Sequence, residues 1–251
     1  MSNEVETKYT PEEAALLMRL RVFVNMRWLA VLGVVVATLV ASFVFDISLD
    51  LISIYVICGL IVLYNFGLFV QLRNIRHGEP GSVIRRARQY SNLHIFLDLI
   101  ALTAILHFTG GIENPFLFFY VFHIVLASIA LNYRIVYITA TSALMMVCLL
   151  TSIEFAGFIP HINLEGFADP ALYRETSYVI AVLISLAAIL YGTTYMATAI
   201  SGELRKRQRQ VVDLQERLLV EKSVELEKVG KELAKLEEER TRFLRFLGIA
   251  A

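Results

Sequence analysis

Charge is missing from most of this 251-residue chain. Lys plus Arg and Asp plus Glu balance at 23 each, but they crowd into the N-terminal segment, one internal loop and the last fifty or so residues. The apolar stretches between them bring the hydrophobic share to 57% and the mean hydropathy to +0.63. Those values exclude an ordinary soluble domain. Cysteine is scarce too: Cys58 and Cys148 both fall in mid-run, where a thiol is a small apolar side chain rather than a redox group. The N-terminus is polar and acidic, so it does not read as a cleavable signal. No His, Cys or carboxylate set has metal-ligand spacing, and no metal is expected.

Six apolar runs suit a hydrocarbon core about 30 Å thick: residues 28–45, 51–70, 91–108, 116–131, 135–155 and 178–199. The fourth is short, and only Asn132, Tyr133 and Arg134 separate it from the fifth. Arg19, Arg21, Arg27, Arg73, Arg76, Arg85, Arg86, Arg88, Arg134, Arg205, Lys206, Arg207 and Arg209 fall on one side of this map. The other side has Arg174 against Asp46, Asp50, Glu113, Glu165, Asp169 and Glu175. The positive-inside rule then predicts a multi-pass protein of the bacterial cytoplasmic (inner) membrane with both termini cytoplasmic. The expected fold class is all-α. Residues 1–27 form a cytoplasmic segment, 28–199 a six-helix transmembrane sensor domain, and 200–251 a signalling coiled coil.

From Ser201 to Arg245 there is no proline and only two glycines, Gly202 and Gly230, which predicts one long solvated helix. Its apolar positions are Val211, Leu214, Leu218, Leu226, Val229, Leu233 and Leu236, with Phe243 and Leu247 beyond Arg240. From Leu226 on, the steps alternate three and four, a coiled-coil seam that favours a parallel homodimer over a solvated amphipathic helix lying alone. Between Leu214 and Leu226 the steps are four, through Lys222, and the heptad phase breaks there.

The most distinctive stretch is Phe108-Thr109-Gly110-Gly111-Ile112-Glu113-Asn114-Pro115-Phe116, a polar turn between the third and fourth runs. Two glycines permit a tight reversal, and Asn114-Pro115 can open the next helix. Read from Asp98 through His107 to Phe116, this stretch resembles the third-to-fourth helix junction of RegB/PrrB-type redox-sensing histidine kinases. Arg19-Leu20-Arg21 and Arg27-Trp28-Leu29-Ala30 resemble that family's entry to its first span. Residues 241–251 look like the start of a histidine-kinase dimerisation helix just ahead of the phosphoacceptor His. The last His here is His161, so the phosphoacceptor and the ATP-binding domain are missing, as is any counterpart of the family's redox cysteine. The chain reads as the input half of a larger, ATP-dependent protein-histidine kinase, inactive alone.

The resemblance implies ubiquinone as a ligand, with Gly110, Gly111, Asn114, Pro115 and Phe116 forming the site. His107 and His123 flank the turn, where an imidazole can meet a quinone carbonyl. Phe108, Phe118, Phe119, Tyr120 and Phe122 are either a stacking wall or an interfacial aromatic belt. Asn65, His94 and Asp98 form an expected intramembrane polar cluster, with His94 and Asp98 four apart and able to pair. A purely structural role as helix glue stands equally open for these three, with such hydrogen bonds worth about 0.6 kcal/mol on average. The implied partners are a second copy of the chain, membrane lipid or quinone, and a response regulator reached through the kinase part; no nucleic acid is expected. Two rival readings stay open: a six-span transporter or enzyme subunit with an accessory coil, and a dimerising membrane scaffold.

Overall fold

A computed structural model describes residues 11–75, 82–163, 169, 171–246 and 248. Residues 1–10, Arg76, Glu165 and Leu247 lie outside the described residues. The architecture is all-α: α1 Pro11–Val44, α2 Leu51–Ile75, α3 Ser82–His107, α4 Tyr120–Ala130, α5 Tyr133–Phe155 and α6 Thr176–Phe246. Short 3₁₀ turns at Gly111–Glu113 and Pro115–Phe119 join α3 to α4, and another at Leu172–Arg174 precedes α6. Many of the helical residues are Val and Ile, which are mediocre helix formers in water. In hydrocarbon, a helix that satisfies its own backbone is one of the few permitted spanning structures, so length and apolarity override propensity.

Among the described residues, four helices are long and apolar enough to cross a membrane: Arg21–Val44, Leu51–Gln71, Tyr133–Phe155 and the one spanning Thr176–Phe246. Two shorter apolar helical stretches accompany them, Asn92–His107 and Pro115–Ile129. Several boundaries differ from the sequence-based map. α1 begins well before residue 28, so Arg19, Arg21 and Arg27 lie on the helix rather than ahead of it. α3 likewise begins at Ser82 and takes in Arg85, Arg86 and Arg88. Arginine is a good helix former, so a helix can continue past the last apolar residue. The fourth run opens as a 3₁₀ helix, becoming α only at Tyr120. Tyr133 and Arg134 are the first residues of α5, leaving Leu131 and Asn132 as the reversal.

The chain divides into two compact units, residues 1–199 and 200–251. In the first, Ile95, Leu99 and Leu106 of α3 meet Tyr120, Ile124 and Ala127 of α4 and Val136, Ala140, Ala143 and Val147 of α5. Leu186 and Leu190 of α6 complete this core. Small residues on α5 let the neighbouring backbones approach closely. α1 packs against α2 and α3. Outward-facing Leu32, Phe43, Ile52, Leu63 and Phe66 are exposed, as a lipid-facing surface requires.

In the second unit α6 runs unbroken through Lys222, and Leu214, Leu218, Leu226, Val229, Leu233 and Leu236 are all exposed. Its polar side carries local ion pairs, including Glu203–Arg207, Asp213–Arg217, Glu227–Lys231 and Glu238–Arg242. Each is more than half exposed and adds only a few tenths of a kcal/mol, roughly 0.3–0.5 for an i,i+4 pair.

Candidate functional site

Among the described residues, two polar clusters stand out in the first unit. The first joins α1, α2 and α3. Arg27 Nε donates to Asp98 Oδ1 and Oδ2 at 2.9 and 3.0 Å, and Nη2 donates to Oδ2 at 2.9 Å. Arg27 Nη1 reaches Asn65 Oδ1 at 3.4 Å, and Asn65 Nδ2 donates to the Val24 carbonyl at 3.2 Å. Tyr64 adds its hydroxyl hydrogen to Asp98, and the guanidinium lies 5.6 Å from the Tyr64 ring centroid. Arg27 is the cation that makes Asp98 affordable among apolar helices, because guanidinium and carboxylate match two donors to two acceptors.

The expected His94–Asp98 pairing does not form. Arg27 and Tyr64 occupy the carboxylate, while His94 lies beside the Tyr64 ring at 5.8 Å with Nδ1 buried and unpartnered. Asn65 does join Asp98's cluster, through Arg27. Arg27, which charge counting assigns to a membrane flank, is almost fully buried.

The second cluster lies under the glycine turn. α3 ends at His107, and Gly110 (φ 99°) and Gly111 (φ 53°) both take the left-handed backbone that glycine adopts without a Cβ penalty. Asn114 locks the turn: Nδ2 donates to the carbonyl and Oγ1 of Thr109, both at 2.6 Å, and Oδ1 accepts from the Phe116 amide at 2.7 Å. Pro115 follows at the first position of the 3₁₀ helix, where its missing N–H costs nothing.

Beneath the turn, Glu154 of α5 bridges two imidazoles. Its Oε1 accepts from His107 Nδ1 at 2.7 Å, and its Oε2 accepts from His161 Nδ1 at 2.7 Å. The other nitrogen of His161, Nε2, faces Glu113 Oε2 at 3.6 Å, while Glu113 Oε1 accepts from the Tyr173 amide at 2.8 Å. The His161 ring stacks on Tyr173 with centroids 4.0 Å apart. Side chains of Glu113, Glu154 and His161 are 1% exposed or less. α5 can deliver Glu154 there because it stops at once: Gly157 donates to the Glu154 carbonyl and Phe158 to that of Ile153, a Schellman closure with Gly157 at φ 75°. Gly111 is required for a second reason. A Cβ there would come within 2.6 Å of Glu154 Oε2 and 3.2 Å of His161 Cε1.

Burial pulls the His161 imidazole down, but its hydrogen bond to Glu154 and the charges of Glu154 and Glu113 outweigh it, so its pKa lies above the ordinary 6.5. Among the described residues no group of three or more His, Cys, Asp or Glu is arranged to hold a metal ion.

The expected site residues therefore divide by role. Gly110, Gly111, Asn114 and Pro115 build the turn, and the hydrogens of the Asn114 amide are spent within it. His107 belongs to the carboxylate cluster. Phe116, Phe118, Phe119 and Phe122 are exposed, with Phe116–Phe119 and Phe119–Phe122 packed edge to face at 4.9 and 5.3 Å. His123 sits apart from the cluster, its Nδ1 3.2 Å from the Phe119 carbonyl. Sequence reasoning missed Glu154 and the inward-facing roles of Glu113 and His161. Glu154 did carry a signal: an acid within an apolar run must find a partner.

Neither a curated protein nor a solved structure matches the chain. Residues 11–211, the bundle and the beginning of the long helical extension, match the model of the PilS-like transmembrane domain, a six-span domain. The chain belongs to the PilS-like six-span transmembrane domain family and is the membrane sensor region of a histidine kinase.

Proposed function

We propose that this sensor region answers to the redox state of the quinone pool, as the RegB/PrrB-like turn implies, and signals through a parallel homodimer. In this reading the protein sits in the bacterial cytoplasmic membrane with both termini inside. The quinone head group lies against Phe116, Phe118, Phe119 and Phe122, beside the turn that Gly110, Gly111, Asn114 and Pro115 shape. Because Asn114 spends its amide hydrogens on Thr109, its contribution is the shape of the turn. His123 and His107 are the neighbouring imidazoles; Nδ1 of each is engaged, by the Phe119 carbonyl and by Glu154, so Nε2 is the nitrogen that would meet the head group.

The observation that carries the transmission half is the long helix. α6 is continuous from Thr176 to Phe246, and its apolar seam is exposed in a single copy. A stripe of that kind gains by burial against its own image. A shift in the membrane part of α6 would then reach the kinase part as a rotation or register change, and the phase break at Lys222 is where the supercoil can relax.

The test uses the chain reconstituted in lipid with Leu233→Cys on the seam. Ubiquinone should be recovered from the purified protein by mass spectrometry, and inter-subunit cross-linking should change between oxidised and reduced quinone. Absence of bound quinone together with an unchanged cross-linking rate would overturn the quinone reading. No cross-linking at all would overturn the dimer.

A further inference from the structure

Glu113, Glu154 and His161 are buried together, and two of their polar atoms, Glu113 Oε2 and His161 Nε2, have no hydrogen-bond partner although they face each other at 3.6 Å. His161 must carry its Nδ1 hydrogen to satisfy Glu154, so a neutral ring would present a lone pair from Nε2. A lone pair facing an ionised carboxylate in a buried site is repulsive, and nothing else among the described residues satisfies either atom. One added proton resolves both, making His161 an imidazolium that can donate to Glu113.

We propose that the His107–Glu154–His161–Glu113 cluster is a proton-binding site that latches the segment leading into α6, closed when that proton is bound and released when it leaves. The ligand is the proton itself, taken from the side of the membrane that the glycine turn faces. The proposal is separate from quinone sensing and rests on the sensor reading only for what the movement serves.

The latch has a mechanical output. Glu113 holds the Tyr173 amide, His161 stacks on the Tyr173 ring, and Tyr173 lies three residues before the first residue of α6. When Nε2 gives its proton to water, Glu113 and Glu154 lose the cation between them. Glu113 then turns toward solvent and Tyr173 loses its amide acceptor. The other groups in reach are few. His107 faces Glu154 from α3, and the Arg174 guanidinium lies 5.3 Å from the Tyr173 ring centroid. Tyr178, in the first turn of α6, lies within the field of Glu113. Gly111 seals the roof, since any side chain there would displace Glu154 or His161.

The direction follows from the raised pKa of His161. The closed form is fully favoured below 6.5, the value of a free imidazole, and is lost as pH rises through the higher value in the latch. Alkalinisation opens it.

The test places a spin label at Ala171→Cys, an exposed position, in the full chain in lipid nanodiscs with Cys58 and Cys148 replaced by Ala. The label should be immobilised at about pH 5.5 and mobile at about pH 9, with a midpoint above 6.5. His161→Gln keeps a side-chain amide hydrogen at every pH and should lose the transition. Glu113→Gln removes the carboxylate that makes the neutral ring unfavourable and should move the midpoint down. Amide exchange at Tyr173, corrected for intrinsic pH dependence, should accelerate with the same midpoint in the unlabelled protein. A label and an amide indifferent to pH would overturn the proposal, as would an unchanged midpoint in either variant. Neither readout involves quinone or a kinase, so failure here leaves the proposed quinone response standing.

Discussion

The two polar clusters differ in how their charges are balanced, and that difference separates a fastener from a switch. Around Asp98, one carboxylate meets a guanidinium, a phenol hydrogen and, through Arg27, an asparagine. Arginine does not release its proton at any physiological pH, so this arrangement has a single state. Around Glu154, two carboxylates meet two imidazoles, and His161 faces a carboxylate with each of its ring nitrogens. The first holds three helices together in the membrane. The second ties together the loops at the glycine-turn end and has a state with one proton fewer.

The largest effect should come from breaking the fastener on one side. Arg27→Leu leaves Asp98 with no cation among apolar helices, and removing one partner of a buried ion pair costs about 3–5 kcal/mol. The double variant Arg27→Leu/Asp98→Leu should recover most of the loss. Thermal unfolding in detergent of the three proteins decides it, and a double variant as unstable as the single would mean Arg27 has another role.

Next comes the turn roof. Gly111→Ala adds a Cβ 2.6 Å from Glu154 Oε2 at φ 53°, whereas Gly157→Ala adds one at φ 75° with nothing within 4 Å. Both bear the left-handed backbone penalty of about 1–2 kcal/mol, and only Gly111→Ala adds overpacking of about 1–3 kcal/mol. Equal melting temperatures for the two would mean that the carboxylate yields freely.

The third effect is pH dependence. His161 gains stability in the folded site that is complete below 6.5 and disappears as pH rises through its raised value. Unfolding midpoints should therefore fall with alkalinisation in the wild type and change less in His161→Gln, while Asp98→Asn should leave the size of the pH effect intact. The smallest effect belongs to the solvated helix. Glu238→Gln should alter stability by no more than about 0.5 kcal/mol in salt titrations, whereas cysteines at Leu233 or Leu236 should cross-link far faster than one at Lys235.

Much of the bundle was legible because apolar length is a one-dimensional property. The runs, the glycine turn and the regular seam of the long helix can all be read along the chain. Helix starts were less so, because α1 and α3 continue through arginines that hydropathy assigns to flanks. Asp98 and Asn65 stood out as polar residues in apolar runs, but the obvious partner for Asp98, one helical turn away at His94, was the wrong one. Arg27 is 71 residues from Asp98, and no local rule links them. Glu113 looked like an ordinary loop charge until the fold turned it inward.

From sequence alone came an all-helical membrane protein with a sharp turn at Gly110–Gly111 and a long charged helix with an apolar seam. These follow from the transfer energy of apolar runs, the φ freedom of glycine and helical periodicity, none of which needs a neighbouring helix. Tertiary structure alone decided which charges meet. Burial makes every unpaired polar atom costly, and only packing brings Arg27 to Asp98 and His161 between Glu154 and Glu113.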